Sequence, residues 1–598
     1  MYHSSVTIHQ VVVQYEQKLN EFQLGLEQAR SNSFLSGVLL TLAVLVFLGM
    51  SLFALRQQAS LLWPSIPAPF AAIAARRLSR NRQTEARLRR LQKFYDRAIQ
   101  RISGNWVGKG DRGEEFDQPN HPYAGDLNIF GEGSLFERIC TARTAIGRRG
   151  IAKYLLEMPE VEETTLRQEA VEELRNHLDL RERLAMLGEF EFLESKWETF
   201  SEWLDTPTVR FPKSLRVVAF ISSVLIVCGI PFGLTGLVPW PTIAMWISPL
   251  IVFHAVVGLL FRARVNRMIE WVRPISFETQ VLREGLQVLE QQPFQSVKLR
   301  GLRDRTQRSA KAIQTLERML YALKERNRDW FYLPSLILLV GTQLCMAIEK
   351  WRFDHRAELN AWLDAWAEFE ALNALANYAY ENPENTLPEV LDAGCTFEAT
   401  ALGHPLLGDS CVTNDIRLDQ GVRFYIVSGS NMSGKSTLLR AIGLNAVLAL
   451  AGAPVRAQQV RLSRLSVCAS ISLTDSLLNG KSKFMAEVDR LRQMIETGRD
   501  GTRVLFLIDE IFAGTNSRDR RVATEAVVRT LLSQGAVGAL STHDLALTEI
   551  AASDLCGMNV HTGSRDGTDP MDFDFQLKPG ITNESSALAI ARMAGVPV

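Results

Sequence analysis

Residues 429–437 read Gly429-Ser430-Asn431-Met432-Ser433-Gly434-Lys435-Ser436-Thr437, which satisfies G-x-x-x-x-G-K-[ST] and leaves few folds open to the chain. Successive backbone N–H groups must turn inward around a phosphate chain, so glycines are needed, and a helix must follow to add the partial positive charge of its N-terminus. The flanks agree. Residues 424–427 are an apolar run and a helical pattern opens at Leu438, which predicts strand, loop, helix. In such a loop Lys435 reaches the β- and γ-phosphates of a nucleotide and the Ser436 hydroxyl takes a place on Mg²⁺.

Two further apolar runs end in polar groups. Residues 504–508, Val-Leu-Phe-Leu-Ile, read as a buried parallel strand that delivers Asp509 and Glu510 at its C-terminal edge, a Walker B arrangement. Asp509 suits the metal shell, and Glu510 can orient and deprotonate an attacking water. Residues 536–540 lead into Ser541-Thr542-His543, where the histidine can sense the γ-phosphate or serve as an ordinary structural residue.

Between these strands the chain carries Asp475, Gly480, Ser482, Phe484 and Glu487 in the order D-x-x-x-x-G-x-S-x-F-x-x-E. Here it resembles the MutS ATPases, whose phosphate loop reads GPNMGGKST. The resemblance continues through Asp509-Glu510-Ile511-Phe512-Ala513-Gly514-Thr515, Ser541-Thr542-His543, Asn559-Val560-His561, Gly580 and Ala591 to Pro597. His404-Pro405-Leu406 and Asn414-Asp415 look like the start of the same domain. Leu127 to Phe130, Ser134 to Phe136, Thr141 to Gly147 and Arg167 to Val171 look, more faintly, like the opening of the MutS helical core.

The resemblance implies an α/β P-loop NTPase domain of the ABC/MutS type with a parallel-rich sheet. It implies Mg²⁺-dependent ATP hydrolysis, with catalytic Glu510 and His543, nucleotide held by 429–437, and metal held by Ser436 and Asp509. It also implies DNA as a partner and an ATP-favoured homodimer in which Ser482 meets the γ-phosphate bound by the partner chain. The residues around Ser482 leave this open, because a turn of small residues entering a helix can equally be an N-cap over Phe484 or Met485. Three departures matter. No mismatch-reading or connector domain is visible before the helical core, so DNA is expected to be bound without mismatch specificity. Cys411 stands where relatives often carry an aromatic against adenine, and no helix-turn-helix tail follows Pro597, which predicts a weaker dimer.

Membrane segments interrupt this plan. Residues 34–55 are apolar and uncharged over about the roughly 20 residues that cross a bilayer, and 59–75 are apolar but carry Pro64, Pro67 and Pro69. Residues 217–261 form two apolar runs joined near Gly236 and Pro239, with Arg210, Lys213 and Arg216 before them and Arg262, Arg264 and Arg267 after them. That charge pattern predicts a transmembrane hairpin with both ends inside. Arg76 to Lys93 carry eight basic residues that orient the first region the same way; the competing reading is a nucleic-acid patch. Residues 332–348 are short and contain Gln343, which favours a buried helix. His254 is an intramembrane ionisable residue, expected to be neutral and held by a neighbouring helix.

The predicted organisation is an N-terminal helical segment (1–33), a transmembrane region (34–75), helical core (76–215), transmembrane hairpin (216–262), a second core or lever part (263–392) and the ATPase domain (393–598). The chain is expected in the cell (inner) membrane, multi-pass, with the ATPase domain cytoplasmic. With 66 basic and 66 acidic residues, no global polycation announces a nucleic-acid binder, and DNA contact must come from local patches. Seven scattered cysteines without a C-x-x-C pair suggest neither a disulfide framework nor a zinc site, leaving Mg²⁺ with ATP as the expected metal. The reading that follows is a membrane-anchored ATPase linked to mismatch-repair-like processes on DNA. The alternative is the same engine used for membrane transport or signalling without nucleic acid.

Overall fold

In this computed structural model the described residues are 7–56, 66–187, 203, 211–272, 275–325, 334–408, 410–430, 432–471, 483–512, 515–552, 556–563 and 572–581. The chain begins with one long helix, α1 (Ile8–Arg56), which pairs antiparallel with α2 (Ala68–Ile102). The sequence suggested a boundary at 33–34, but no proline or glycine falls between Ser31 and Ser36, so the polar and apolar stretches share a single helix. The pairing register is set by polar contacts: Asn81 Nδ2 donates to the Asn32 carbonyl and to Ser36 Oγ, both at 3.1 Å. It places Arg82 of α2 level with the start of the α1 apolar run. At the other end Tyr15 packs against Tyr95 and Tyr380, with ring centroids 5.2 and 5.8 Å apart, so the start of α1 lies on the helical core.

The core continues through α3 (Leu135–Ile139), α4 (Ala145–Leu156), α5 (Val161–Arg175) and α6 (Leu178–Ala185). Ser134 and Thr144 cap α3 and α4 by accepting from the N–H groups of Glu137 and Gly147. The second apolar region is a hairpin of α7 (Lys213–Leu234) and α8 (Trp240–Val272). Gly229 and Gly233, four apart on α7, let α8 come close: a Cβ on either would lie 2.9 Å from Ile247 or Ile243. Three helices among the described residues are long and apolar enough to cross a membrane: Ile8–Ala54, Ser214–Gly233 and Trp240–Trp271.

His254 is held at both ring nitrogens. Its Nε2 lies 2.6 Å from Ser222 Oγ and its Nδ1 2.6 Å from the Ile337 carbonyl. That carbonyl is free because the backbone breaks at Leu339, with φ 54°, before the next long helix begins. Gln343 Nε2 fills the same break, donating to the Leu338 carbonyl at 2.9 Å and to Ser223 Oγ at 2.8 Å. Residues 334–348 thus pack on the hairpin through polar contacts, which is how irregular backbone is satisfied among apolar helices.

After α9 (Ile275–Gln291), α10 (Val297–Arg305) and α11 (Ser309–Glu325) comes α12 (Val340–Glu381), whose 42 residues span about 63 Å at the helical rise. It runs from the apolar hairpin to the α/β part. Gly147 and Gly150 of α4 press onto it so closely that a Cβ at Gly150 would lie 2.3 Å from the Ala367 carbonyl oxygen. Buried Glu370 takes the Arg143 N–H at 2.6 Å and the Thr144 hydroxyl, and burial pushes its carboxyl up to about 7 despite those bonds.

The C-terminal part is built from β1 (Glu389–Leu391), β2 (Phe397–Leu402), β3 (Asn414–Leu418), β4 (Phe424–Ser428), α13 (Lys435–Ala451), β5 (Gln459–Ser463), β6 (Ser466–Ser470), α14 (Lys483–Arg499), β7 (Val504–Asp509), α15 (Ser517–Ser533), β8 (Val537–Thr542), α16 (Glu549–Ala552), β9 (Gly557–His561) and β10 (Lys578–Pro579). Six strands form one sheet in the order β10-β9-β4-β8-β7-β6, parallel except for β10 at the edge. Strands β4 and β8 are buried at every position, as expected of central parallel strands covered on both faces. A second sheet, β1-β5-β2-β3, is mixed, with β2 antiparallel to both neighbours. The sequence reading expected one parallel-rich sheet; the second escapes it because its strands are half-exposed and give no continuous apolar run, as in the irregular burial of β2.

Candidate functional site

The ends of β4, β7 and β8 meet at the C-terminal edge of the six-stranded sheet, where ligands bind in open parallel sheets. From β4 the chain enters the phosphate loop through Gly429 at φ 151° and leaves it through Gly434 at φ 89°, both backbone conformations that favour glycine. At Gly429 a Cβ would also lie 2.7 Å from Thr562 Oγ1, so the backbone approaches too closely for a side chain. Ser433 Oγ donates to the Ser430 carbonyl at 2.8 Å and lies 2.6 Å from Thr562 Oγ1 at the end of β9. Met432 has φ 74° and is 75% exposed at the tip, and Thr437 is exposed on the first turn of α13. Asn431 and Ser482, together with 472–482, Gly514 and 582–598, lie outside the described residues.

Lys435 is buried, and its Nζ donates to the carbonyls of Gly429 and Ser430, each at 2.8 Å. Burial lowers its pKa, while Glu510 and Asp509 act the other way. Across from it, the Asp509 carboxylate is engaged at both oxygens: Ser436 Oγ donates to Oδ2 at 2.5 Å and the buried Ser541 hydroxyl donates to Oδ1. A hydroxyl and a carboxylate side by side are hard oxygen donors of the kind Mg²⁺ takes beside phosphate oxygens, so the pair fits that ion. No group of three or more His, Cys, Asp or Glu residues among the described residues could hold a metal without such help.

Glu510 and His543 come together as neighbours. Glu510 Oε1 lies 3.2 Å from His543 Nδ1, and both side chains remain open to solvent. The Glu510 N–H donates to the Ser541 carbonyl at 3.1 Å, while its φ of 50°, and that of Phe512 at 52°, lie in the left-handed region. Strain of this kind persists where the surroundings fix it. The fixing contacts are present. Glu487 of α14 accepts the Phe512 N–H at 2.5 Å, and Arg520 of α15 donates to the Phe512 carbonyl at 3.0 Å while its Nη1 lies 3.5 Å from Asp544.

Residues 425–598 match the family model of MutS domain V. The C-terminal region is MutS-like. A 201-residue segment is 32% identical to the DNA mismatch repair protein MutS of Lactobacillus delbrueckii subsp. bulgaricus; it covers 32% of this chain and 23% of that relative. The match spans less than a quarter of the relative's length, and the MutS domain V match covers less than a third of the chain.

In and beside the matched region the structure adds residues that the sequence did not single out for the site. Phe575 lies over the phosphate loop: a Cβ at Gly434 would be 3.0 Å from its Cδ1. Asn414 holds that segment from both sides, donating to the Phe575 carbonyl at 3.1 Å and accepting the Leu577 N–H at 2.7 Å. Cys411 instead takes the His404 N–H within a turn. Buried His404 is pushed down to about 4, first by desolvation and then by Arg440 and Arg456, so it is neutral and structural. The sequence offered no signal for Thr562 or Phe575, since each acts through a contact distant in the chain, nor for Arg520, whose role appears only where it reaches Asp544.

The region matched by the domain V model is also joined to the helical core. Arg440 of the phosphate-loop helix donates to the Asp126 carbonyl at 3.1 Å. Arg490 of α14 donates to the His121 carbonyl at 2.6 Å and lies 3.5 Å from the Asp126 carboxylate. A Cβ at Gly443 would be 2.7 Å from Leu127, so α13 and the loop before α3 are in close contact.

Proposed function

We propose that this protein is a membrane-anchored, Mg²⁺-dependent ATPase that converts ATP binding and hydrolysis into movement of its helical core, with DNA as the partner that senses it in a mismatch-repair-like process. The observation that carries the reading is the convergence of Lys435, Ser436, Asp509, Glu510 and His543 at one sheet edge. The loop N–H groups and Lys435 would bind the β- and γ-phosphates, with Phe575 as an aromatic wall for the base. Ser436 and Asp509 would hold Mg²⁺, which supplies neutralisation of phosphate charge when bound. Glu510 orients a water and takes its proton as the water oxygen bonds to the γ-phosphorus and the bond to the bridging oxygen breaks, releasing ADP. His543 positions Glu510 and lies where it can contact the γ-phosphate. Arg440 and Arg490 pass changes at the loop and at α14 to the segment around Asp126, and so to the core. Ser482 is proposed to complete the site of a second copy in an ATP-favoured dimer.

DNA is proposed on the strength of the MutS match. The expected binding is dominated by phosphate contacts, hence steeply weakened by salt and indifferent to mismatches. Detergent-solubilised protein titrated with homoduplex and mismatched duplex should show equal affinity and equal stimulation of ATPase. A clear mismatch preference would contradict this; no stimulation by any DNA would favour membrane transport or signalling.

The α1–α2 register and the basic residues flanking both apolar regions support a topology with the N-terminus, core and MutS domain V in the cytoplasm. A single cysteine placed at Arg87 in a cysteine-free background should react only from the cytoplasmic side, and one at Leu237, 73% exposed in the α7–α8 turn, from outside. External labelling at Arg87 would refute the arrangement.

A further inference from the structure

A cavity of about 340 Å³ opens between α2, α6, α12 and the loop before α3, well away from the nucleotide site. That volume lies in the range of small-molecule sites. Its wall is basic, and the acids that line it are already committed. Asp111 pairs with Arg148 at 2.6 Å, Glu137 accepts the N–H groups of Gly110 and Gly133 at 2.9 and 2.7 Å, and Glu370 accepts the Arg143 N–H at 2.6 Å. Arg101 is matched by Glu381. Among the described residues, Arg97 and Lys109 on the rim form no ion pair, and Arg181 in the wall lies over the Tyr380 ring at 4.3 Å without a hydrogen-bonded acid, so the charge facing the cavity is positive.

The wall also holds polar atoms without partners. Arg181 is 2% exposed; one guanidinium nitrogen donates to the Arg175 carbonyl at 2.9 Å, but Nε and Nη2 are buried with no hydrogen bond. Asn373 Oδ1 and Asn377 Oδ1 are likewise buried without a donor, although Asn377 Nδ2 binds Glu381 at 2.8 Å. Buried polar groups are nearly always satisfied, so unpaired donors and acceptors lining one cavity indicate a ligand with complementary groups. Guanidinium and ammonium donors fit phosphate oxygens, and the two amide oxygens call for hydroxyl donors.

We propose that this cavity binds a small phosphate ester carrying free hydroxyl groups, such as a sugar phosphate. A soluble ligand fits better than a lipid headgroup. Arg90 at the cavity lies 14 residues along α2 from Arg76, the first arginine after the apolar stretch, which is about 21 Å of helix.

The test is calorimetric titration of ribose 5-phosphate into the full detergent-solubilised chain carrying Lys435→Ala, which silences the phosphate loop. Binding is expected, weakened at least tenfold by Arg97→Ala with Lys109→Ala. These rim residues are exposed, so their loss should not disturb folding, which circular dichroism checks. Asn373→Ala should lower the preference for ribose 5-phosphate over inorganic phosphate. Competition by dihexanoyl phosphatidylglycerol would keep the site and assign it to a headgroup; its absence supports the soluble ligand. No binding, or equal binding by the rim variant, would overturn the proposal.

Discussion

Glu510→Gln is expected to bind ATP as well as the parent protein and to hydrolyse it roughly 10² to 10⁴ times more slowly, the usual loss when general-base help is removed. The amide keeps the shape of the side chain and can still meet His543, which lies 3.2 Å away, but it cannot accept a proton from water. The backbone conformation at 510, held by the Ser541 carbonyl and by the contacts at Phe512, should survive the change, so binding and hydrolysis separate cleanly. Single-turnover phosphate release measured beside nucleotide binding decides the matter. Parental turnover in the variant would remove Glu510 from the chemistry and leave His543 as the candidate base.

The second large effect concerns the joint between α2 and α12. Arg101 and Glu381 form a two-pronged pair, Nε to Oε2 at 2.7 Å and Nη2 to Oε1 at 2.5 Å, with both residues buried. Removing one member of a buried pair strands the other's charge, at a cost of about 3–5 kcal/mol. Arg101→Met should therefore destabilise the helical core by about that amount. Adding Glu381→Leu should restore part of it, because the apolar pair leaves no stranded charge, while Asn377 Nδ2 loses the acceptor it has in Glu381. Denaturant unfolding of the solubilised protein, followed by helical signal, measures both. With no part of the loss recovered by the double variant, Arg101 would be acting through packing and not through the pair.

The parts of the site that were legible in the sequence are those made by consecutive residues on buried strands. The runs before Gly429, Asp509 and Ser541 are apolar because parallel strands are covered on both faces, so the polar residues that follow stand out as strand ends. The hairpin at α7 and α8 was legible for a similar reason, and the Gly229 and Gly233 spacing could have been read as its packing face. What the sequence hid depends on contacts between distant segments. Thr562 supports the loop from a neighbouring strand, Arg520 ties two strand ends together, and Phe575 reaches the loop because Asn414 holds its backbone. The four-stranded sheet was hidden because its half-exposed strands give no continuous apolar run, and the continuity of α1 because a change of polarity at Phe34 resembles a boundary.

Phosphate release from ATP by the purified full chain, with Mg²⁺ or with a chelator and beside Lys435→Ala, tests the central claim most directly. Lys435 is the buried cation of the loop, and its removal leaves the phosphates without a side-chain counter-charge. The expected result is steady hydrolysis by the parent protein that vanishes with the chelator and in the variant, with nucleotide binding weakened as well. Equal hydrolysis by Lys435→Ala, or none by the parent under any condition that preserves its fold, would contradict the account.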